Sequence, residues 1–125
     1  MALAGKRAVV FGVCNKWSLA WAVARAWHAA GAELTLACHS DRERRAVEAL
    51  AASLGAAGPG AGGESGVGDV GGGGGEVSGC RTLVCDVADE SAIRSVFDHA
   101  SAGGEHKVHS VLHSVAAAPP GALAA

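Results

Sequence analysis

The chain has 125 residues, with 10 basic against 12 acidic side chains for a formal net charge of -2, and a pI near 6.3. That balance excludes a strongly basic nucleic-acid binder, and no apolar run approaches the roughly 18 residues that span a bilayer. Half of the residues count as hydrophobic, but many are alanine, Tyr is absent and only two are Phe, so the core is lean.

The first residues run directly into an apolar stretch, with neither a signal h-region nor an Arg/Ser-rich transit segment ahead of it. A cytoplasmic protein is expected, or a stromal one if an upstream transit segment is missing. Residues 8–11 form a short β-branched and aromatic run that predicts a strand. A loop over 12–17 leads into a helix over 19–30 that stops at Gly31. This helix has two apolar stripes, Leu19/Val23/Trp27 and Trp17/Trp21/Ala24, so it should be covered on more than its sheet-facing side.

Glu33–Cys38 reads as the second strand. Ser40 and Glu43 have capping-box spacing, and the helix they open places Ala46, Val47, Leu50 and Leu54 on one stripe before Gly55. Between 55 and 79 lie 13 of the 19 glycines. Such a segment has much ordering entropy to lose and few side chains to bury, so it predicts a disordered insertion. Residues 81–85 read as the third strand. Asp89 and Glu90 put negative charge at the start of a helix with Ile93, Val96, Phe97 and Ala100 on one side, and 108–115 reads as the fourth strand.

Three strand–helix units and a further strand imply a parallel sheet, because each crossover has room for a helix and right-handed crossovers dominate. The fold class is therefore α/β, a Rossmann-type β-α-β-α-β-α-β arrangement that makes up an incomplete half of a doubly wound domain. Residues 1–125 would form the N-terminal part of one dinucleotide-binding domain. The fourth strand, beside the first, would leave an apolar edge with no strand after it.

The cysteines at 14, 38, 80 and 85 form no Cys-x-x-Cys pair and sit in or beside apolar runs, as reduced buried thiols do. His109 and His113 would share a strand face about 13 Å apart, too far to share an ion, so no metal is expected.

Gly12 ends the first strand and Ser18 opens the first helix, where a Rossmann-type sheet aims free amides and a helix dipole at a diphosphate. The loop between them has one glycine where the usual fingerprint has three. Gly12 as a plain turn residue and Ser18 as a plain N-cap remain the alternative.

Three segments resemble the enoyl-acyl-carrier-protein reductases of bacterial-type fatty-acid synthesis, a divergent branch of the short-chain dehydrogenases. They are residues 5–21, Cys85-Asp86-Val87, and His113-Ser114-Val115-Ala116, and they occur in family order. Ser18 and Leu19 stand where ordinary short-chain dehydrogenases keep two more glycines. The resemblance implies that Gly12, Ser18 and Leu19 line the diphosphate, that Asp86 and Val87 hold the adenine, and that Ser114, Val115 and Ala116 run beside the ribose and nicotinamide. His39, with Ser40, follows the second strand, where the adenosine ribose is met. Arg42 offers a partner for a 2′-phosphate, so NADPH stays open beside NADH, which the resemblance favours.

The implied reaction is hydride transfer from NADH to a trans-2-enoyl thioester on acyl carrier protein, carried out by a homotetramer. The family's catalytic Tyr and Lys have no counterpart here. There is no Tyr, and Lys6, Lys16 and Lys107 all lie within the matched first half. The chain by itself should be inactive. Another short-chain dehydrogenase, such as a 3-oxoacyl reductase, and a non-catalytic nucleotide-binding module are the alternatives.

Overall fold

In a computed structural model, residues 2–56 and 79–115 are described. Four strands, β1 (Arg7–Phe11), β2 (Glu33–Cys38), β3 (Cys80–Val84) and β4 (Ser110–His113), alternate with three helices, α1 (Leu19–Ala29), α2 (Asp41–Ala56) and α3 (Glu90–Ala100). All the pairings are parallel and the order is β3-β2-β1-β4. The order steps outward from β1 to β3 and then returns to the other side of β1. The sheet thus reverses beside β1, the place where open α/β sheets bind ligands.

Strand alternation divides the core in two. Ala8 and Val10 of β1 pack with Leu34, Leu36, Trp21, Ala24 and Val47 on the α1/α2 face. Val9 and Phe11 pack with Ala37, Val96 and Ala100 on the α3 face. Helices therefore cover both faces of the sheet, as the α/β reading requires.

Some local expectations are corrected. Helix α2 continues through Gly55 to Ala56, because one glycine costs a helix only about 1 kcal/mol. Ala51 of α2 is buried while Ala46 is exposed, so the stripe is rotated from the one expected. Only one face of α1 is well covered. Trp21 is buried, whereas Trp17 and Leu19 are 82% and 72% exposed. Strand β4 is shorter than expected, and His109 lies just before it, its Nδ1 accepting the Arg7 amide at 3.1 Å. Residues 57–78, most of the glycine-rich stretch, lie outside the described residues.

Helix α1 ends in a hydrogen-bonded turn that needs a left-handed residue, and Gly31 supplies it with φ +99°. Its amide donates to the His28 carbonyl at 2.9 Å and that of Ala32 to Trp27 at 3.0 Å, the paired bonds of a Schellman stop. At the other end of the fold's third unit, Asp89 caps α3. Its Oδ1 accepts the Ser91 amide at 3.0 Å, the Ala92 amide at 3.4 Å and the Ser91 hydroxyl at 2.8 Å.

The Ser91 hydroxyl first, and then the Ala92 amide, hold the Asp89 carboxyl below its ordinary pKa. A lowered folded-state pKa stabilises the fold above the unfolded pKa, and that contribution fades as pH falls through the folded value. Asp89→Ala is therefore expected to lower Tm at pH 7, with the gap from the parent closing at acid pH below the usual carboxylate range. Thermal melts across pH check this, and a gap that persists unchanged in acid would rule out the charged cap.

Candidate functional site

At the carboxyl ends of β1, β2 and β4, and just beyond β3, lies a cleft of about 330 Å³. Its walls include Gly12, Val13 and Cys14 after β1, His39 after β2, Cys85 and Val87 after β3, and Ser114 and Val115 after β4. Glu43, from the first turn of α2, also lines it. A second depression of about 270 Å³ lies at the opposite end of the sheet, around Arg7, Glu33 and Arg81. Loops at that amino end lack the helix N-termini that make the carboxyl end an anion site.

Gly12 fixes the shape of the cleft. Its φ is +108°, and a Cβ built there would lie 2.1 Å from the Ser114 carbonyl oxygen and 2.6 Å from its carbon. The β1–α1 loop can therefore lie against the end of β4 only because residue 12 has no side chain.

Ser18 has extended backbone at the N-cap of α1, but its hydroxyl makes no capping bond to the helix. It turns back to the loop instead and accepts the amides of Cys14 and Asn15, both at 3.0 Å. The Asn15 carboxamide oxygen in turn accepts the Trp17 amide at 2.8 Å. With both acceptor positions of Ser18 engaged, its O–H proton is the part left to donate. The first two amides of α1, those of Leu19 and Ala20, have no partner among the described residues. Together they make a compact set of donors at the positive end of a helix dipole.

The expected site residues fall into three groups. Gly12, His39, Val87, Ser114 and Val115 all line the cleft. Ser18, Leu19 and Asp86 do not line it. Ser18 and Leu19 stand at the start of α1, with the Leu19 side chain in solvent. Asp86 is exposed, and its Oδ1 accepts the Ala88 amide at 2.9 Å. Ala116 lies outside the described residues. Arg42 is exposed and is not part of the cleft wall.

Sequence reasoning missed Glu43 as a cleft residue because it took the carboxylate for one half of a capping box. The Glu43 amide does donate to the Ser40 hydroxyl, at 3.4 Å, but Glu43 Oε2 accepts the His39 amide at 3.1 Å. The signal was its place in the first turn after β2, a turn that a parallel sheet always sets at the carboxyl edge.

Cys14 is exposed rather than buried, because the loop must turn its amides inward to Ser18. Cys38, Cys80 and Cys85 are buried, and all four cysteines are free. Burial is the main cause that pushes the Cys38 thiol up to about 12 and the Cys80 thiol up to about 11. Cys14 is also raised, by desolvation and then by the charge of Glu43. Thiols held protonated in this way are poor nucleophiles at neutral pH. Among the described residues, no three His, Cys, Asp or Glu are grouped to hold a metal ion.

Residues 12–68 match a family model described as enoyl-(acyl carrier protein) reductase. The NADH-dependent enoyl-[acyl-carrier-protein] reductase 1 of Rhizobium meliloti is 48% identical over 52 residues, 42% of this chain and 19% of that protein. The corresponding NADH enzyme of Salmonella typhimurium is 32% identical over 118 residues, covering 94% of this chain and 36% of that protein. A crystal structure of the Bacillus cereus reductase with NADP+ and an indole naphthyridinone aligns with a TM-score of 0.63 and 29% identity. That alignment covers 88% of this chain and 34% of that one. The reductase of Aquifex aeolicus, at 24% identity and a TM-score of 0.67 over 95% of this chain and 38% of that one, shares the fold. The chain thus spans little more than a third of the length of these relatives at most.

Proposed function

The chain belongs to the enoyl-acyl-carrier-protein reductase family, and from that premise we propose that its cleft holds NADH for reduction of a trans-2-enoyl thioester carried on acyl carrier protein. The observation that carries this reading is a single place in the fold. Gly12, in the cleft wall, is pressed against Ser114 after β4, and a few residues on, at the start of α1, the Ser18 proton is left to donate and two amides have no partner among the described residues. Donors of this kind suit a diphosphate.

The other residues fit the rest of the dinucleotide. Val87, half-buried in the cleft wall, gives apolar surface for the adenine. Asp86 keeps one carboxylate oxygen outside its turn to accept from the exocyclic amine. His39 faces the adenosine ribose, and Ser114 and Val115 line the way to the nicotinamide, with Ala116 next in sequence. When bound, NADH supplies the hydride that saturates the β-carbon of the enoyl group. The share of this chain is to hold and orient the cofactor and to keep water from it with Phe11, Val13 and Ala37. No Tyr stands anywhere in the 125 residues, so the donor to the thioester oxygen that the resemblance implies is not among them.

Acyl carrier protein as the substrate's bearer, a homotetramer and a cytoplasmic setting belong to the same reading. Among the described residues, no helix is long and apolar enough to cross a membrane.

Calorimetric titration with NADH and with ADP-ribose is the test, with binding of both expected in the submillimolar range. Absence of heat at millimolar ligand would overturn the dinucleotide reading. Incubation with NADH and a crotonyl thioester should give no turnover by this chain. Measurable oxidation of NADH would show that the proton donor has been wrongly assigned.

A further inference from the structure

Two thiols meet where β1 and β2 end. The last register pair of these strands is Phe11 with Ala37, so Gly12 and Cys38 follow side by side, about 4.8 Å apart as neighbouring strands are. The loop then folds Cys14 back over this point, its thiol donating to the Gly12 carbonyl at 3.7 Å. Cys14 is exposed and lines the cleft, whereas Cys38 is buried in the core cluster that includes Val13 and Val47. The two are near enough to sense each other. Burial first, then the charge of Glu43 and then that of an ionised Cys14 hold the Cys38 thiol up at about 12.

We propose that Cys14 and Cys38 form a redox pair that closes the cleft to a dinucleotide when a low-molecular-weight disulfide oxidises them. The effect on binding rests on the dinucleotide reading; the pairing does not. In the first step the Cys14 thiolate attacks the small disulfide, forming a mixed disulfide and releasing one thiol. In the second the Cys38 thiolate attacks the Cys14 sulfur, forming the Cys14–Cys38 bond and releasing the other thiol. The protein loses two electrons and two protons, and the small disulfide gains them. Thiols this hard to ionise exchange slowly, but their thiolates are also poor leaving groups, so the closed disulfide resists reduction. A disulfide holds the Cα atoms of its partners within about 7 Å and so ties the loop to the end of β2. Because the Cys14 amide donates to the Ser18 hydroxyl, this tie pulls the donor set at the start of α1 out of place.

The test is to equilibrate the full chain with oxidised glutathione at mildly alkaline pH, map its peptides and titrate it with ADP-ribose. Expected are a product lighter by two hydrogens, a Cys14–Cys38 cross-link, and an affinity for ADP-ribose about tenfold or more below that of the reduced chain, restored by dithiothreitol. By linkage, saturating ADP-ribose should oppose the oxidation by the same factor. Cys38→Ala, a substitution outside the cleft wall, should stop at a glutathione adduct on Cys14. In the parent, a cross-link to another cysteine, or an adduct that goes no further, would overturn the pairing. A cross-linked chain that binds as the reduced one does would overturn the closure. If the reduced chain fails to bind ADP-ribose, the dinucleotide reading falls and the closure with it, while the peptide map still decides the pairing. Should Cys38→Ala not fold, Cys14→Ser decides in its place, any cross-link at Cys38 in that variant counting against the pair.

Discussion

Gly12→Ala is expected to remove about 3–5 kcal/mol of stability and, with it, the proposed nucleotide site. Two costs combine. An L-residue held at φ +108° is strained by about 1–2 kcal/mol. The new methyl would also overlap backbone, meeting the Ser114 carbonyl oxygen at 2.1 Å, where no side-chain rotation can relieve it. Relief requires the end of β4 to move away from β1. That movement breaks the hydrogen bond from the Ser114 amide to the Phe11 carbonyl, 3.0 Å in the parent, and displaces Ser114 and Val115 from the cleft wall. Urea unfolding should show a large fall in midpoint, and ADP-ribose titration a loss of binding that exceeds any residual unfolding. A midpoint close to that of the parent would mean that the loop and β4 are not in contact.

This contact also shows why the frame of the molecule was legible in its sequence while the finer parts of the site were not. Strand β2 has the bounds expected from its composition, and α3 presents Val96 and Ala100 as its periodicity requires. Burial drives both patterns, and burial is written in the order of apolar residues. Gly12 was legible as a turn. That its missing Cβ makes room for residue 114 was not, because the two positions meet only once the fourth strand returns beside the first.

The same reason hid Glu43. Its spacing from Ser40 satisfies a capping motif, and nothing local distinguishes a carboxylate turned to its own helix from one turned to a cleft. Cys14 was expected to be buried like the other cysteines, whose strands fix their burial. It belongs to a loop whose geometry is set by the Ser18 hydroxyl, a hydrogen-bond choice that hydropathy does not record. Leu19 carries the resemblance through its position, yet its side chain lies in solvent. What the proposed reading asks of it is a backbone amide, which any residue but proline would provide.

Ser18→Ala is expected to separate the two tasks that one hydroxyl can have at the start of a helix. As an ordinary N-cap, its loss would destabilise α1 by about 1 kcal/mol and lower the helix signal on heating. In this fold the oxygen instead accepts the Cys14 and Asn15 amides, which are exposed and can turn to water, so the stability cost should stay below about 1 kcal/mol. The larger effect falls on binding. Alanine removes both the tie that shapes the loop and the O–H donor that the proposed reading gives to a diphosphate, a charge-assisted bond of about 1.5–3 kcal/mol. The affinity for ADP-ribose should therefore drop about 10- to 100-fold while the urea midpoint barely moves. Ser18→Thr, which keeps the hydroxyl, should bind within a few-fold of the parent. If Ser18→Ala melts early yet binds as the parent does in its folded fraction, the hydroxyl serves the helix, and the diphosphate must be sought elsewhere along the sheet edge.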